Sequence, residues 1–197
     1  RDGSNIGYMI GVVSFESRAA VNYGLTTVTG DPEWNAARSA VNALVVGGAT
    51  ALGSGAKLGY EELVAKGKSD HDWSLALLSD GMENEDALWE DVESDVVDNG
   101  CEIHTIALGP AANQDLMQQI AGSSPAGGSY YYATNTGSVP VNSVLGWQNN
   151  LSRVYDSIAT DVAGRQRIVT AVRESAVGGA ISGFVHFEDL PAGTQVH

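Results

Sequence analysis

Two apolar runs, Trp73 to Ser79 and Glu102 to Leu108, flank a helix-patterned stretch in which Leu88, Val92 and Val96 share one face. Antiparallel neighbours can be joined by a two-residue turn, whereas strands separated by a helix pair in parallel through a right-handed crossover. That spacing therefore dictates a parallel sheet at the centre of the chain. The alternation continues on both sides. Ile10 to Phe15 is a short β-branched run of the buried kind, and Ala19 to Val28 reads as a more polar edge strand returning beside it. Asp31-Pro32-Glu33 is a helix start leading into Trp34 to Val45, with Asp31 as the N-cap and proline at the first helical position. A second helix is read over Ser54 to Lys66, a third over Glu85 to Val97 and a short one over Asn113 to Ile120. Tyr130 to Ala133 is a strand, and a long helix covers Val141 to Val162. The fold class is α/β, a doubly wound and mostly parallel sheet with helices on both faces.

After Gly164 the pattern changes to the alternating strands Arg167 to Arg173 and Gly183 to Phe187, with glycine between them. Residues 1–165 are read as one domain and 166–197 as the start of a β-rich domain or extension.

In doubly wound sheets ligands bind beyond the carboxyl ends of the strands. Ser79-Asp80-Gly81 puts a carboxylate at such an end, where an apolar strand turns towards a helix. Upstream, the glycine-rich run Gly47 to Gly55 carries the hydroxyl of Thr50 ahead of another helix. Together Thr50 and Asp80 form a candidate site for a divalent cation held by hard oxygens. Each residue also has a plainer reading as a helix N-cap. Glu83, Glu85 and Asp86 read as a solvated acidic first turn that favours the helix dipole, not as ligands.

Composition narrows the partners. Asp and Glu outnumber Lys and Arg by 24 to 10, a formal charge of −14, which repels phosphate backbones and anionic lipid. No stretch approaches the roughly 20 apolar residues of a membrane span. Cys101 is the one cysteine, so no internal disulfide is possible, and its place at a strand entrance marks a small buried hydrophobe. Ser69-Asp70-His71-Asp72 reads as a solvated turn before a transition-metal site, and His104 as a hydrogen-bonded core residue. Tyr130-Tyr131-Tyr132 alternates across its strand as packing plus one exposed ring. Gly53-Ser54-Gly55 lacks the Gly-Lys-Ser/Thr of a phosphate loop and the third glycine of a dinucleotide fingerprint, and no Gly-x-Ser-x-Gly elbow occurs. The chain reads as non-enzymatic.

Gly48-Ala49-Thr50, Ser79-Asp80-Gly81, the strand Gly11 to Phe15 and the strand Ile103 to Gly109 resemble, in that order, elements of the von Willebrand factor type A domain. Within that family, Ile103 to Pro110 followed by Asn113-Gln114-Asp115-Leu116 is similar to the calcium-activated chloride channel regulators and related bacterial surface proteins. The resemblance covers about residues 6 to 165. It implies an extracellular or cell-surface adhesion module, part of a larger polypeptide, that binds a protein ligand through a metal-ion-dependent adhesion site. In the implied mechanism Mg²⁺ or Ca²⁺ accepts an acidic side chain of the partner, with Thr50 a switchable direct ligand and Asp80 acting mainly through water.

The family's Asp-x-Ser-x-Ser loop is absent from this sequence, since Asp2-Gly3-Ser4 lacks the second serine and lies too close to the strand at Ile10. Asp2-Gly3 resembles the turn that closes the family's first helix, so the first strand, its metal loop and that helix are expected to be missing. Cation binding by this chain alone is therefore expected to be weak or absent. The alternative role is a structural spacer or assembly subunit with a vestigial metal rim. An intracellular type A domain serving a chelatase or ATPase complex fits the fold but not the channel-regulator-like segment.

Overall fold

The computed structural model describes residues 8–45, 47–97, 100–133, 151, 153–155, 157–158 and 167–174. The strands are β1 (Met9–Phe15), β2 (Ala19–Thr27), β3 (Asp72–Ser79), β4 (Glu102–Leu108), β5 (Tyr130–Ala133) and β6 (Arg167–Glu174). They form one six-stranded sheet in the order β2-β1-β6-β3-β4-β5. Only the β1–β2 pair is antiparallel; every other neighbouring pair runs parallel. The α/β class and the parallel centre follow the sequence pattern, and β2 is the polar edge strand expected of it.

Helices among the described residues include α1 (Asp31–Asn42), α2 (Leu52–Lys66), α3 (Trp89–Val97) and α4 (Gln114–Ser123). On one face, Leu52, Ala56, Tyr60 and Leu63 of α2 join Val13, Phe15, Leu25, Leu75 and Leu77 in a core that also holds Trp89, Val92, Met117 and Ile120. On the other, Leu151, Val154 and Ile158, helical residues within 151–158, pack with Leu78, Ile106, Leu108 and Ala133. Period-2 alternation explains the split: Leu77 and Leu78 are neighbours in sequence and belong to opposite cores.

Several local readings shift. α1 starts at Asp31 with Gly30 as its N-cap, because the Glu33 carboxylate accepts the Gly30 N–H at 3.0 Å and holds the entry turn. The glycine run is only partly a loop, since Gly53 and Gly55 lie inside α2. A Cβ on Gly53 would meet the backbone of Ala87 and Leu88 at 2.5 Å, and one on Gly55 the Phe15 ring at 2.6 Å. These glycines let α2 lie close to its neighbours, which outweighs their poor helix propensity.

α3 begins at Trp89, not Glu85. Ser54 explains the delay: its backbone N–H donates to the Ala87 carbonyl at 3.1 Å, and its hydroxyl accepts the Ala87 N–H at 2.7 Å. The stretch before Trp89 is thus pinned to the start of α2, and Asp91 Oδ2 accepts the Leu88 N–H at 3.1 Å where α3 opens.

Arg167–Glu174, read from sequence as part of a β-rich domain or extension, forms β6, which pairs with β1 on one side and β3 on the other. β1 and β3 have no direct pairing, so β6 joins the two parts of the sheet. An alternating strand pattern specifies a strand but not its neighbours. The strand read at Gly183 to Phe187 and most of the helix read at Val141 to Val162 lie outside the described residues.

Candidate functional site

The carboxyl ends of β1, β3 and β4 open onto one rim of the sheet, because the three strands share a direction. Three loops meet there. Thr50 lies just before the N-cap of α2, Asp80 follows β3 directly, and Gly109 follows β4.

Hydrogen bonds tie the loops together. The Thr50 N–H donates to Asn84 Oδ1 at 2.8 Å, and the Asn84 N–H donates back to the Thr50 carbonyl at 3.0 Å. The Ala51 N–H donates to the Glu16 carbonyl at 2.8 Å, which fixes the threonine loop to the end of β1. The Asn113 N–H donates to the Gly81 carbonyl at 3.1 Å and brings in the loop after β4. Gly48 sits at φ +85, where a side chain would be strained and its Cβ would meet the Glu16 side chain.

Glu83 joins two helix starts at the rim. Its Oε1 accepts the Gly53 N–H at 2.8 Å and the Trp89 N–H at 2.9 Å, so one carboxylate caps the starts of both α2 and α3. Burial pushes its carboxyl above the ordinary range, although both N–H donors pull the other way. The expectation of a solvated first-turn glutamate is therefore corrected for Glu83, which is half-buried, while Glu85 and Asp86 are exposed as expected.

Of the two predicted site residues, Thr50 is buried and Asp80 half-buried. Their loops are brought into direct hydrogen bonding through Asn84. Ala51 holds the N-cap position of α2, one residue after Thr50, and α3 starts at Trp89, nine residues after Asp80. Sequence reasoning missed Glu83 and Asn84. Their signal was an acidic, turn-prone run directly after Asp80, but the same composition also describes a solvated loop.

A hydroxyl and a carboxylate are donors that suit a hard cation. They are few: among the described residues no group of three or more His, Cys, Asp or Glu side chains converges. Mg²⁺ takes about six oxygens in near-octahedral geometry, so most positions would fall to water or a partner.

The remaining candidates are structural. His71 Nδ1 lies 2.8 Å from Asp70 Oδ1 with the imidazole buried, and His104 Nε2 lies 3.3 Å from Glu102 Oε2 inside the sheet. Tyr130 and Tyr131 pack against opposite cores, as the alternation requires, and Tyr132 is exposed. Cys101 is fully buried, and that burial pushes its thiol up to about 12. No helix of the described residues is long and apolar enough to cross a membrane.

No family model matches the chain. It is 32% identical over 127 residues to calcium-activated chloride channel regulator 1 of Bos taurus, covering 64% of this chain and 13% of that protein. The corresponding regulator of Equus caballus is 31% identical over 129 residues, 66% of this chain and 13% of that protein. Calcium-activated chloride channel regulator 3A-1 of Mus musculus is 27% identical over 151 residues, 77% of this chain and 16% of that protein. The chain thus spans a small part of these relatives' length. A solved membrane-spanning protein from Vibrio fischeri is 22% identical over 77% of this chain and 75% of that chain, with a TM-score of 0.36.

Proposed function

We propose that this chain is a non-enzymatic, protein-binding module of the von Willebrand factor type A kind, working at the cell surface or in the extracellular space as part of a larger polypeptide. Its similarity to calcium-activated chloride channel regulators supports that class over a catalytic one. The contact surface is the rim where Thr50 and Asp80 stand, and the observation that carries this reading is the reciprocal Thr50–Asn84 bonding that locks the threonine loop to the loop after Asp80. Oxygen donors on loops at the carboxyl end of a parallel sheet stand where recognition belongs in this architecture.

Thr50 and Asp80 would hold a hard divalent cation, Mg²⁺ or Ca²⁺, with low affinity in this chain alone. When bound, that ion supplies a positive centre for an acidic side chain of the partner. Glu83 and Asn84 keep the two loops at fixed separation, and the Glu16 carbonyl anchors the threonine loop from the other side.

Mn²⁺ titration followed by NMR tests the site without requiring tight binding. Paramagnetic broadening centred on the amides next to Thr50 and Asp80, and lost in Asp80→Ala, is the expected result. Broadening that is unchanged in Asp80→Ala, or is centred elsewhere, defeats the assignment. Partner retention that ignores chelator would favour the spacer role instead.

A further inference from the structure

We infer that Met82 is an oxidation site on the rim: a neutral peroxide converts its thioether to the sulfoxide while Met9, Met117 and Cys101 stay reduced. Peroxides attack the sulfur of methionine and cysteine, and the sequence holds three methionines and one cysteine. Burial removes three of these four. Met9 and Met117 are 6% and 1% exposed and belong to the core on which α2 packs. Cys101 is fully buried, and with its thiol pushed up to about 12 it holds almost no thiolate, the form that reacts. Met82 is 56% exposed.

The loop around Met82 is held on both sides. Before it, the Gly81 carbonyl accepts the Asn113 N–H at 3.1 Å. After it, Glu83 accepts the N–H groups of Gly53 and Trp89, and Asn84 is bonded twice to Thr50. Rebuilding the loop to bury Met82 would break these bonds, so the thioether meets solvent without any local unfolding. Charge selects the oxidant. The chain carries a formal charge of −14, and Asp80, Glu83 and Glu85 lie close to Met82 in sequence. That field repels anionic oxidants, whereas hydrogen peroxide is neutral and reaches the sulfur freely.

In the step itself a sulfur lone pair takes one oxygen of the peroxide. An S–O bond forms as the O–O bond breaks, the thioether is oxidised to the sulfoxide and the peroxide is reduced to water. The product is polar and chiral, and methionine sulfoxide reductases return it to the thioether. It stands two residues after Asp80, where an acceptor oxygen replaces an exposed apolar surface. Its bearing on recognition rests on the rim being the contact surface, whereas the oxidation is measured without cation or partner, so the two readings fail separately.

The test treats the 197-residue chain with hydrogen peroxide and follows each methionine and Cys101 by peptide mapping with mass spectrometry. In the native protein Met82 should gain one oxygen at least about tenfold faster than Met9 or Met117, and the three rates should converge in denaturant. Met82→Leu should abolish the fast oxygen uptake. Oxidised wild type should unfold at the same denaturant midpoint as the reduced protein, because the added oxygen lies outside the core. Met9, Met117 or Cys101 reacting as fast as Met82 in the native protein overturns the proposal. So does a rate difference that persists in denaturant, or a lower midpoint after Met82 alone is oxidised, which would place its side chain in the packing of the fold.

Discussion

Thr50 and Asn84 hold each other twice: the Thr50 N–H donates to the Asn84 side-chain oxygen at 2.8 Å, and the Asn84 N–H returns to the Thr50 carbonyl at 3.0 Å. The two residues lie 34 positions apart, so the contact exists only once the sheet has brought their loops to one rim.

Removing the Asn84 oxygen leaves the N–H of buried Thr50 without that acceptor, which costs about 1–3 kcal/mol. Asn84→Ala should lower the chemical-denaturation midpoint accordingly, and Asn84→Asp, which keeps an acceptor oxygen, should recover most of the loss. Equal midpoints for wild type and Asn84→Ala would show that the side-chain bond contributes nothing.

Glu83 separates charge from hydrogen bonding. Glu83→Ala removes an acceptor shared by two helix starts and should destabilise by about 1–3 kcal/mol, whereas Glu83→Gln keeps a carbonyl oxygen and should cost less. Because the folded-state pKa is raised above the unfolded value, the native protein binds the proton more tightly than the unfolded chain. The Glu83 contribution is therefore greatest below the unfolded carboxyl pKa and declines as pH rises through the folded one. The stability of wild type relative to Glu83→Gln should fall across that window. A rise over the same window would reverse the assigned shift.

Gly53→Ala offers a test in which two rules oppose each other. Helix propensity alone predicts a gain of at most about 1 kcal/mol, the figure for a helix interior, since Gly53 is the second residue of α2. The new methyl would sit 2.5 Å from the backbone of Ala87 and Leu88, which cannot yield as a flexible side chain can. Thermal unfolding should show a net loss of at least about 1 kcal/mol, the usual cost of overpacking.

Cys101 should be silent to thiol reagents in the native protein at neutral pH, since burial both shields the sulfur and pushes its pKa to about 12. Ellman's reagent should react with one thiol per chain only after denaturant is added. Rapid labelling without denaturant would place Cys101 at the surface.

Helix and strand periods were enough to identify the α/β class, the parallel pairing of β3 with β4 and the polar edge strand β2, because these depend on neighbours within one turn or one strand. The same local reading put Asp80 and Thr50 at strand-end and loop positions. It could not see that Ser54 would hold the segment before Trp89 out of helix, since Ala87 lies 33 residues from it.

Chain order thus specified which residues form strands and helices, through backbone preference and the spacing of apolar side chains. Tertiary structure alone decided that Arg167–Glu174 lies between β1 and β3, that Gly53 and Gly55 serve helix packing, and that Glu83 is a half-buried double cap. Such outcomes depend on hydrogen bonds and packing between residues distant in sequence. No periodicity encodes those partners, because they become neighbours only when the sheet closes.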